Sequence, residues 1–341
     1  MRNRELEDLI GEAGMRAAGQ RYGVAGLLFT YRCSIACQHC LFGCSTDKPD
    51  VAMTPEQCAD ALAMLHETNR AVHVAGGEAM MYWERLAKGL ALAHEEGNAP
   101  HFIETNCSFA TNGQIVRERL EFLASHGVLG LLASADPFHQ EWVPPERFIL
   151  VRRLAREIFG EANFWGPTQS DEEIMHLQSF ARDLDRLREY VNRREIVMVG
   201  SAFRELPRYR EHFDPRDERV PRMGHRGPRK NKSCLDEFRA ETIWEFHIDP
   251  YGNIQTNCGM ILGRVGETTP ACVLARGPEN ANEFTRTVCE SGPIGLAELA
   301  TKEYGFVWPE SISQDCELCF LARRHLRQFH PQVFGPAEIY D

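Results

Sequence analysis

A chain of 341 residues that is 43% hydrophobic and 26% charged can bury a sizeable core and divides into about two domains, which excludes a disordered polymer or a fibre. Its formal net charge of −11 argues against wholesale binding to a nucleic-acid backbone, which works through clustered Lys and Arg. The longest apolar runs, such as VLGLLASA at 128–135, fall far short of the roughly 20 residues of a membrane span, and the charged opening MRNRELEDLIGEAG lacks the pattern of a secretory signal, so a cytoplasmic protein is expected.

Residues 1–24 read as a charged helical extension. AGLLFTYR (25–32) reads as a buried strand, TPEQCADALAMLHETN (54–69) as a helix with Thr54 as N-cap and Pro55 at its first position, and AVHVAGG (71–77) as the next strand. HFIETN (101–106) and VLGLLASAD (128–136) continue the strands, with GQIVRERLEFLASHG as the helix between them. PPERFILVRRLAREIFG supplies a helix, NFWGP a weaker strand, DEEIMHLQSFARDLDRLREYVNR a long charged helix, and EIVMVGSAF (195–203) a sixth strand. Six βα units in series imply a parallel sheet with right-handed crossovers, doubly wound or curved into a barrel. Either arrangement places the chemistry at the C-terminal strand ends, where Cys33, Gly76, Gly77, Glu78, Asn106, Ser134 and Asp136 stand. These residues are expected to share one mouth.

The alternation stops near residue 215. Charged and Pro-rich sequence to 233, including the basic run RGPRKNK at 226–232, reads as a solvated linker. ETIWEFHI (241–248), the turn AspProTyrGly (249–252) and NIQTN (253–257) then read as a hairpin running into Cys258. The domains expected are thus 1–24, 25–215, a linker at 216–233, and a small module over 234–341.

Twelve cysteines in a reducing compartment point to metal, catalysis or burial rather than to a disulfide framework. Cys33, Cys37 and Cys40 form CxxxCxxC on a loop leaving a strand. Zinc requires a fourth ligand, for which Cys44 is close enough in sequence. Three thiolates on a [4Fe-4S] cluster also make sense if one iron is left open for a substrate or cofactor.

CxxxCxxC after the first strand and AGGEAM (75–80) after the second together resemble the radical S-adenosylmethionine (radical SAM) superfamily. That resemblance implies an enzyme with a partial (β/α)6 TIM-type barrel. Cys33, Cys37 and Cys40 would hold a SAM-binding [4Fe-4S] cluster, and a 5′-deoxyadenosyl radical would take a hydrogen atom from the substrate. Gly76, Gly77 and Glu78 match the GGE motif whose backbone meets the SAM amino group. His39 stands where an aromatic residue near the adenine is usual, a mild departure, and Asn106, Ser134 and Asp136 fall at positions of polar SAM contacts.

Cys234, Cys258 and the CxxC of Cys316 and Cys319 resemble the twitch module, a shortened SPASM domain. This implies a small α+β domain with a second, auxiliary [4Fe-4S] cluster, although four thiolates would satisfy zinc equally well. Cys272 and Cys289 read as packing thiols. Cys107, His139 and Glu141 are candidates for hydrogen donation, substrate contact or deprotonation, and WGPTQS (165–170) is expected on the substrate side. The function expected is net dehydrogenation of a small natural-product precursor, as in alcohol-oxidising twitch enzymes. Peptide modification, decarboxylation or epimerisation are the alternatives, and a non-catalytic metal carrier is the remaining one. The partners implied are a small-molecule or peptide substrate and a flavodoxin or ferredoxin as electron donor, with no nucleic acid and no membrane.

Overall fold

A computed structural model describes residues 4–194, 196–217, 223–224, 227–228 and 234–341. The chain divides into two compact units: residues 1–36, 45–183 and 244–252 form the first, and residues 37–44, 184–243 and 253–341 the second.

The first unit is an α/β structure of the (β/α) barrel type. It opens with helices α1 (Arg4–Ala13) and α2 (Met15–Tyr22), followed by strand β1 (Val24–Leu28). Helix α3 (Pro55–His66) begins at Thr54, whose side chain and that of Gln57 cap each other's backbone, the reciprocal arrangement the sequence suggests. Then come β2 (Ala71–Ala75), α4 (Trp83–Glu95), β3 (Phe102–Thr105), α5 (Gly113–Ser125), β4 (Gly130–Ala133), α6 (Pro137–Gln140), α7 (Pro145–Phe159), β5 (Phe164–Trp165) and α8 (Asp171–Leu177).

Strands β1 to β5 are parallel and pair in sequence order. Every residue of β1 and β2 is buried, as expected of strands covered on both faces. On the face shared by Val24, Ala71 and Phe102, the helices α1 and α2 supply Leu6, Ile10, Met15 and Ala18 to one apolar cluster. They thereby close the N-terminal end of that face and leave the C-terminal strand ends for chemistry.

The segment expected as a sixth strand is not one. Helix α9 (Leu184–Asn192) is followed, in the described residues 196–199, by irregular chain, and helix α10 (Gly200–Glu205) occupies the rest of that segment. Gly200 adopts φ +57°, and a Cβ there would stand 2.7 Å from the Cys40 carbonyl oxygen and 2.6 Å from the Gly43 amide. Ser201 donates its N–H to the Cys40 carbonyl (2.8 Å). An apolar run that reads as a strand is here a clasp on the cysteine loop. The long charged helix expected over 171–193 is likewise broken, into α8 and α9 with a 3-10 turn at Gln178–Phe180.

The linker expected at 216–233 lies largely outside the described residues. Within it, β6 (Met223–Gly224) and β7 (Gly227–Pro228) pair antiparallel, and the remainder of the basic run at 226–232 is not among the residues described. After α11 (Leu235–Phe238) comes β8 (Glu245–Ile248). This strand pairs parallel with β1, Val24 opposite Glu245 and Gly26 opposite His247. The first unit therefore has six parallel strands in the order β8-β1-β2-β3-β4-β5. The sixth is recruited from beyond the linker and joins on the opposite edge.

Past the turn at 249–252, where Gly252 donates to the Asp249 carbonyl (2.9 Å), the second unit contains β9 (Asn253–Thr256) and β10 (Ile261–Arg264), paired antiparallel. Helices α12 (Pro270–Arg276), α13 (Glu283–Tyr304), α14 (Asp315–Leu326) and α15 (Ala337–Tyr340) complete it. Among the described residues no helix is long and apolar enough to cross a membrane.

Candidate functional site

In the first unit the site begins where β1 and β2 end. Gly77 donates its amide to the Thr30 carbonyl (2.7 Å) and Glu78 to the Arg32 carbonyl (3.2 Å). A Cβ on Gly77 would come closer than 3.0 Å to the Arg32 carbonyl group, and one on Gly76, at φ +133°, would stand 2.7 Å from the Thr30 oxygen. The two glycines are therefore needed because this turn lies flat against the chain that leads into Cys33. The sequence reading assigned that close approach to SAM alone.

Glu78 is buried, and its carboxylate accepts from the Asn106 amide (2.8 Å), the Thr105 hydroxyl (3.0 Å) and the Met80 amide (3.2 Å). Burial pushes this carboxyl up to about 7, against the pull of those donors and of Arg119. It holds the end of β3 against the GGE turn. Asn106 is thereby aimed: its Nδ2 donates to Cys33 Sγ (3.4 Å) and to Ser34 Oγ (3.1 Å), while its Oδ1 accepts from the Ser108 amide (2.9 Å). Ser34 and Ser108 share a hydrogen bond of 2.6 Å. An amide N–H directed at a buried sulfur favours the thiolate that a metal requires. Sequence reasoning missed Ser34, Ser108 and Arg119, which carry no motif.

In the second unit the loop 37–44 builds a comparable environment for Cys40. Its sulfur accepts from the Cys44 amide (3.3 Å). The Cys44 thiol, then the amides of Cys44 and Phe42, hold the Cys40 thiol down to about 6 despite burial, with His39 adding to the effect. Cys44 thus serves Cys40 as a donor. Cys37 is buried, and its carbonyl accepts from the Cys40 amide (3.2 Å).

Further along the first unit, Ser134 is half-buried at the end of β4, its amide donating to the Thr105 carbonyl (3.1 Å). Asp136 caps α6 by accepting from the Phe138 and His139 amides, and its second oxygen lies 2.6 Å from His139 Nδ1. This Asp–His pair orients the ring and leaves Nε2 as the nitrogen facing away. Glu141 is exposed. Cys107 is fully buried at φ +65°, and burial together with the Glu78 charge pushes its thiol well above its ordinary value. Trp165 departs from the expected position: it packs on the apolar cluster of α1 and α2 and against Phe102 (ring centroids 6.3 Å). Ser170 caps α8, and the Gln169 carbonyl accepts from Arg152, so most of WGPTQS is engaged in holding the fold.

The second cysteine group lies wholly in the second unit. Cys316 and Cys319 are three residues apart near the start of α14, so they share a helix face, and both are buried. Cys258 sits in the turn after β9, and its carbonyl accepts from the buried Arg323. Burial disfavours the Arg323 charge, yet the fields of Tyr340, Cys319, Cys258 and Cys316 outweigh it and hold the guanidinium above its ordinary value. Arg323 also shares α14 with Cys316 and Cys319, seven and four residues on from them and so on the same face. Cys234 is buried, and its amide donates to the Val288 carbonyl (3.1 Å). The neighbouring Cys289 is pushed up to about 12, chiefly by burial, with Glu279 and Cys258 adding to it. Cys272 is exposed.

Residues 27–181 match the sequence model of the radical SAM superfamily. This segment is a radical SAM domain. Its family implies a [4Fe-4S] cluster and SAM, and the donor set fits: the motif thiols of buried Cys33 and half-buried Cys40 each accept from an N–H donor. Among solved structures, the crystal structure of BtrN in complex with AdoMet and 2-DOIA is similar to this chain over 80% of its length and 89% of that chain, at 15% identity and a TM-score of 0.45. No curated protein sequence matches the chain.

Proposed function

We propose that the radical SAM domain serves a net two-electron oxidation of a small alcohol-type substrate, with a second [4Fe-4S] cluster held by Cys234, Cys258, Cys316 and Cys319. When bound, the first cluster and SAM supply a 5′-deoxyadenosyl radical and the second cluster an electron acceptor, so that a carbinol loses a hydrogen atom, a proton and an electron. Cys33, Cys37 and Cys40 would hold the first cluster. The amides of Gly77 and Glu78 are already used, so backbone carbonyls of this turn are the groups suited to receive the ammonium of SAM, and His39, Asn106 and Ser134 are the polar groups assigned to its remainder. His139, oriented by Asp136, is the base for the hydroxyl proton.

The observation that carries the oxidative reading is Arg323. A buried guanidinium needs anionic partners, and Arg323 stands four and seven residues on from Cys319 and Cys316 on α14, on their helix face, while donating to the Cys258 carbonyl. A fully cysteine-ligated cluster is an anion of the kind this cation suits, and a nearby positive charge raises a cluster's reduction potential, which favours an electron acceptor.

Anaerobic, reconstituted protein should contain about eight irons per chain and release 5′-deoxyadenosine with dithionite and SAM. Replacing Cys316 and Cys319 by Ala should lower iron to about four while leaving 5′-deoxyadenosine formation. A fully loaded wild type with only about four irons would sink the second cluster. Domain boundaries at 216–233, a flavodoxin-type electron donor and a cytoplasmic setting belong to the same proposal.

A further inference from the structure

The parallel register places Gly26 of β1 opposite His73 of β2 on one side and His247 of β8 on the other. The three residues form one row across three strands, on the face that also carries Glu245 and Glu104, since alternate strand residues share a face. Both histidines are 1% exposed. Gly26 has no side chain between them, and a Cβ there would come closer than 3.0 Å to Nε2 of each ring. The glycine thus lets two imidazole nitrogens converge in the middle of a buried sheet.

Glu245 meets them there. Its Oε1 lies 2.9 Å from His73 Nε2 and 3.4 Å from His247 Nε2, and the ligand atoms of the three residues all fall within 4.8 Å of one another. His73 Nδ1 lies 2.9 Å from Glu104 Oε1. One Glu245 oxygen thus faces the Nε2 atoms of both imidazoles. Two imidazoles and a carboxylate converging on one point, with a further carboxylate holding the far nitrogen of one ring, is the arrangement of a zinc centre and its supporting shell. Tetrahedral zinc, with bonds of about 2.0–2.2 Å, separates its ligand atoms by about 3.4 Å, the spacing of His247 from Glu245, and the 2.9 Å between His73 and Glu245 would open to match it.

We propose that His73, His247 and Glu245 bind one zinc ion, with Glu104 orienting His73. Nothing in the cysteine chemistry uses these residues, which lie within the strands and not at their C-terminal ends. The ion would fasten β8, which joins the sheet from beyond the linker, to β2 across β1. Three protein ligands leave the fourth position to a water, and the ion would hold in place the part of the first unit contributed by the most distant segment of chain.

Crystals of the full-length, cluster-loaded protein grown with ZnCl2 should give a zinc-edge anomalous peak between His73, His247 and Glu245. Metal analysis after gel filtration should find about one zinc per chain in the wild type and under about a tenth of that in H73Q/H247Q, with iron content unchanged. The C33A/C37A/C40A chain should keep the zinc while losing about half its iron, which separates this site from stray loading of empty cysteines. Should H73Q/H247Q fail to fold, the wild-type anomalous map decides. A map with no zinc-edge peak at these residues, or zinc that disappears with the three cysteines and survives the loss of the histidines, overturns the proposal.

Discussion

The two cysteine groups are built on opposite electrostatic plans. Cys33 and Cys40 are served chiefly by dipoles: the Asn106 side-chain amide in one unit, and the Cys44 thiol and backbone amides in the other, where His39 adds the smallest contribution. Cys258, Cys316 and Cys319 have a full positive charge close by, the buried Arg323, which bonds the Cys258 carbonyl and shares a helix with the other two. Dipoles stabilise thiolates without fixing a net charge, which suits a cluster whose charge environment changes when SAM binds. A buried cation fixes the charge of its partners, which suits a closed, fully ligated centre that gains an electron.

The largest effect expected is total. C33A/C37A/C40A should abolish 5′-deoxyadenosine formation to the limit of chromatographic detection and halve the iron. Next comes R323M. Removing one partner of a buried charge set costs about 3–5 kcal/mol, so the variant should unfold at a markedly lower denaturant concentration and lose the iron of the proposed second cluster while retaining SAM cleavage. If R323M keeps all its iron and its stability, the contrast between the two groups fails.

How much of this was legible in the sequence depends on whether the signal was local. The Thr54 and Pro55 start of α3, the strands at 24–28 and 71–75, and the turn at 249–252 follow from residues close together in the chain. The segment 195–203 could not be resolved that way, because VMVGSAF is apolar and β-branched whether it forms a strand or packs as a clasp on Cys40. Nor could β8 be assigned to the barrel-type sheet, since its pairing with β1 is a tertiary choice that no turn or period encodes. At the site, the motif cysteines and GGE were plain. The reason for Gly77 was not: it clears the Arg32 carbonyl. Asn106 was placed at the mouth, but its bond to Cys33 depends on Glu78 reaching across from the neighbouring strand end.

Glu78 gives a pH-dependent way to probe the dipolar plan of the first group. Its carboxyl titrates near 7 in the folded chain against an ordinary value of 4.5. A raised pKa means that the protonated form is favoured by folding, so this contribution is complete below pH 4.5 and is lost as pH rises through about 7, a swing of about 3 kcal/mol. Chemical denaturation of the cluster-free chain across that range should show the loss, and E78Q should flatten it. An unchanged pH profile in E78Q would mean that Glu78 is not the titrating group. N106A should act less strongly. A hydrogen bond to a charged acceptor contributes about 1.5–3 kcal/mol, so 5′-deoxyadenosine formation should fall by about tenfold or more, with iron retained.

The smallest effect belongs to Cys44, and it tests whether that residue is a ligand or a donor. As a ligand its removal would cost the first cluster. As a donor it leaves Cys40 with the backbone amides of Cys44 and Phe42, which any residue at 44 supplies. C44A forfeits only the thiol's bond, worth about 1 kcal/mol, so in the cluster-free chain the Cys40 thiol should rise above 6 towards its ordinary value, while the reconstituted protein still binds about eight irons and cleaves SAM within about fivefold of the wild-type rate. C44S, which restores a hydroxyl donor, should recover most of that difference. Loss of four irons in C44A with no rescue by serine would make Cys44 a cluster ligand and remove the open position on which SAM binding depends.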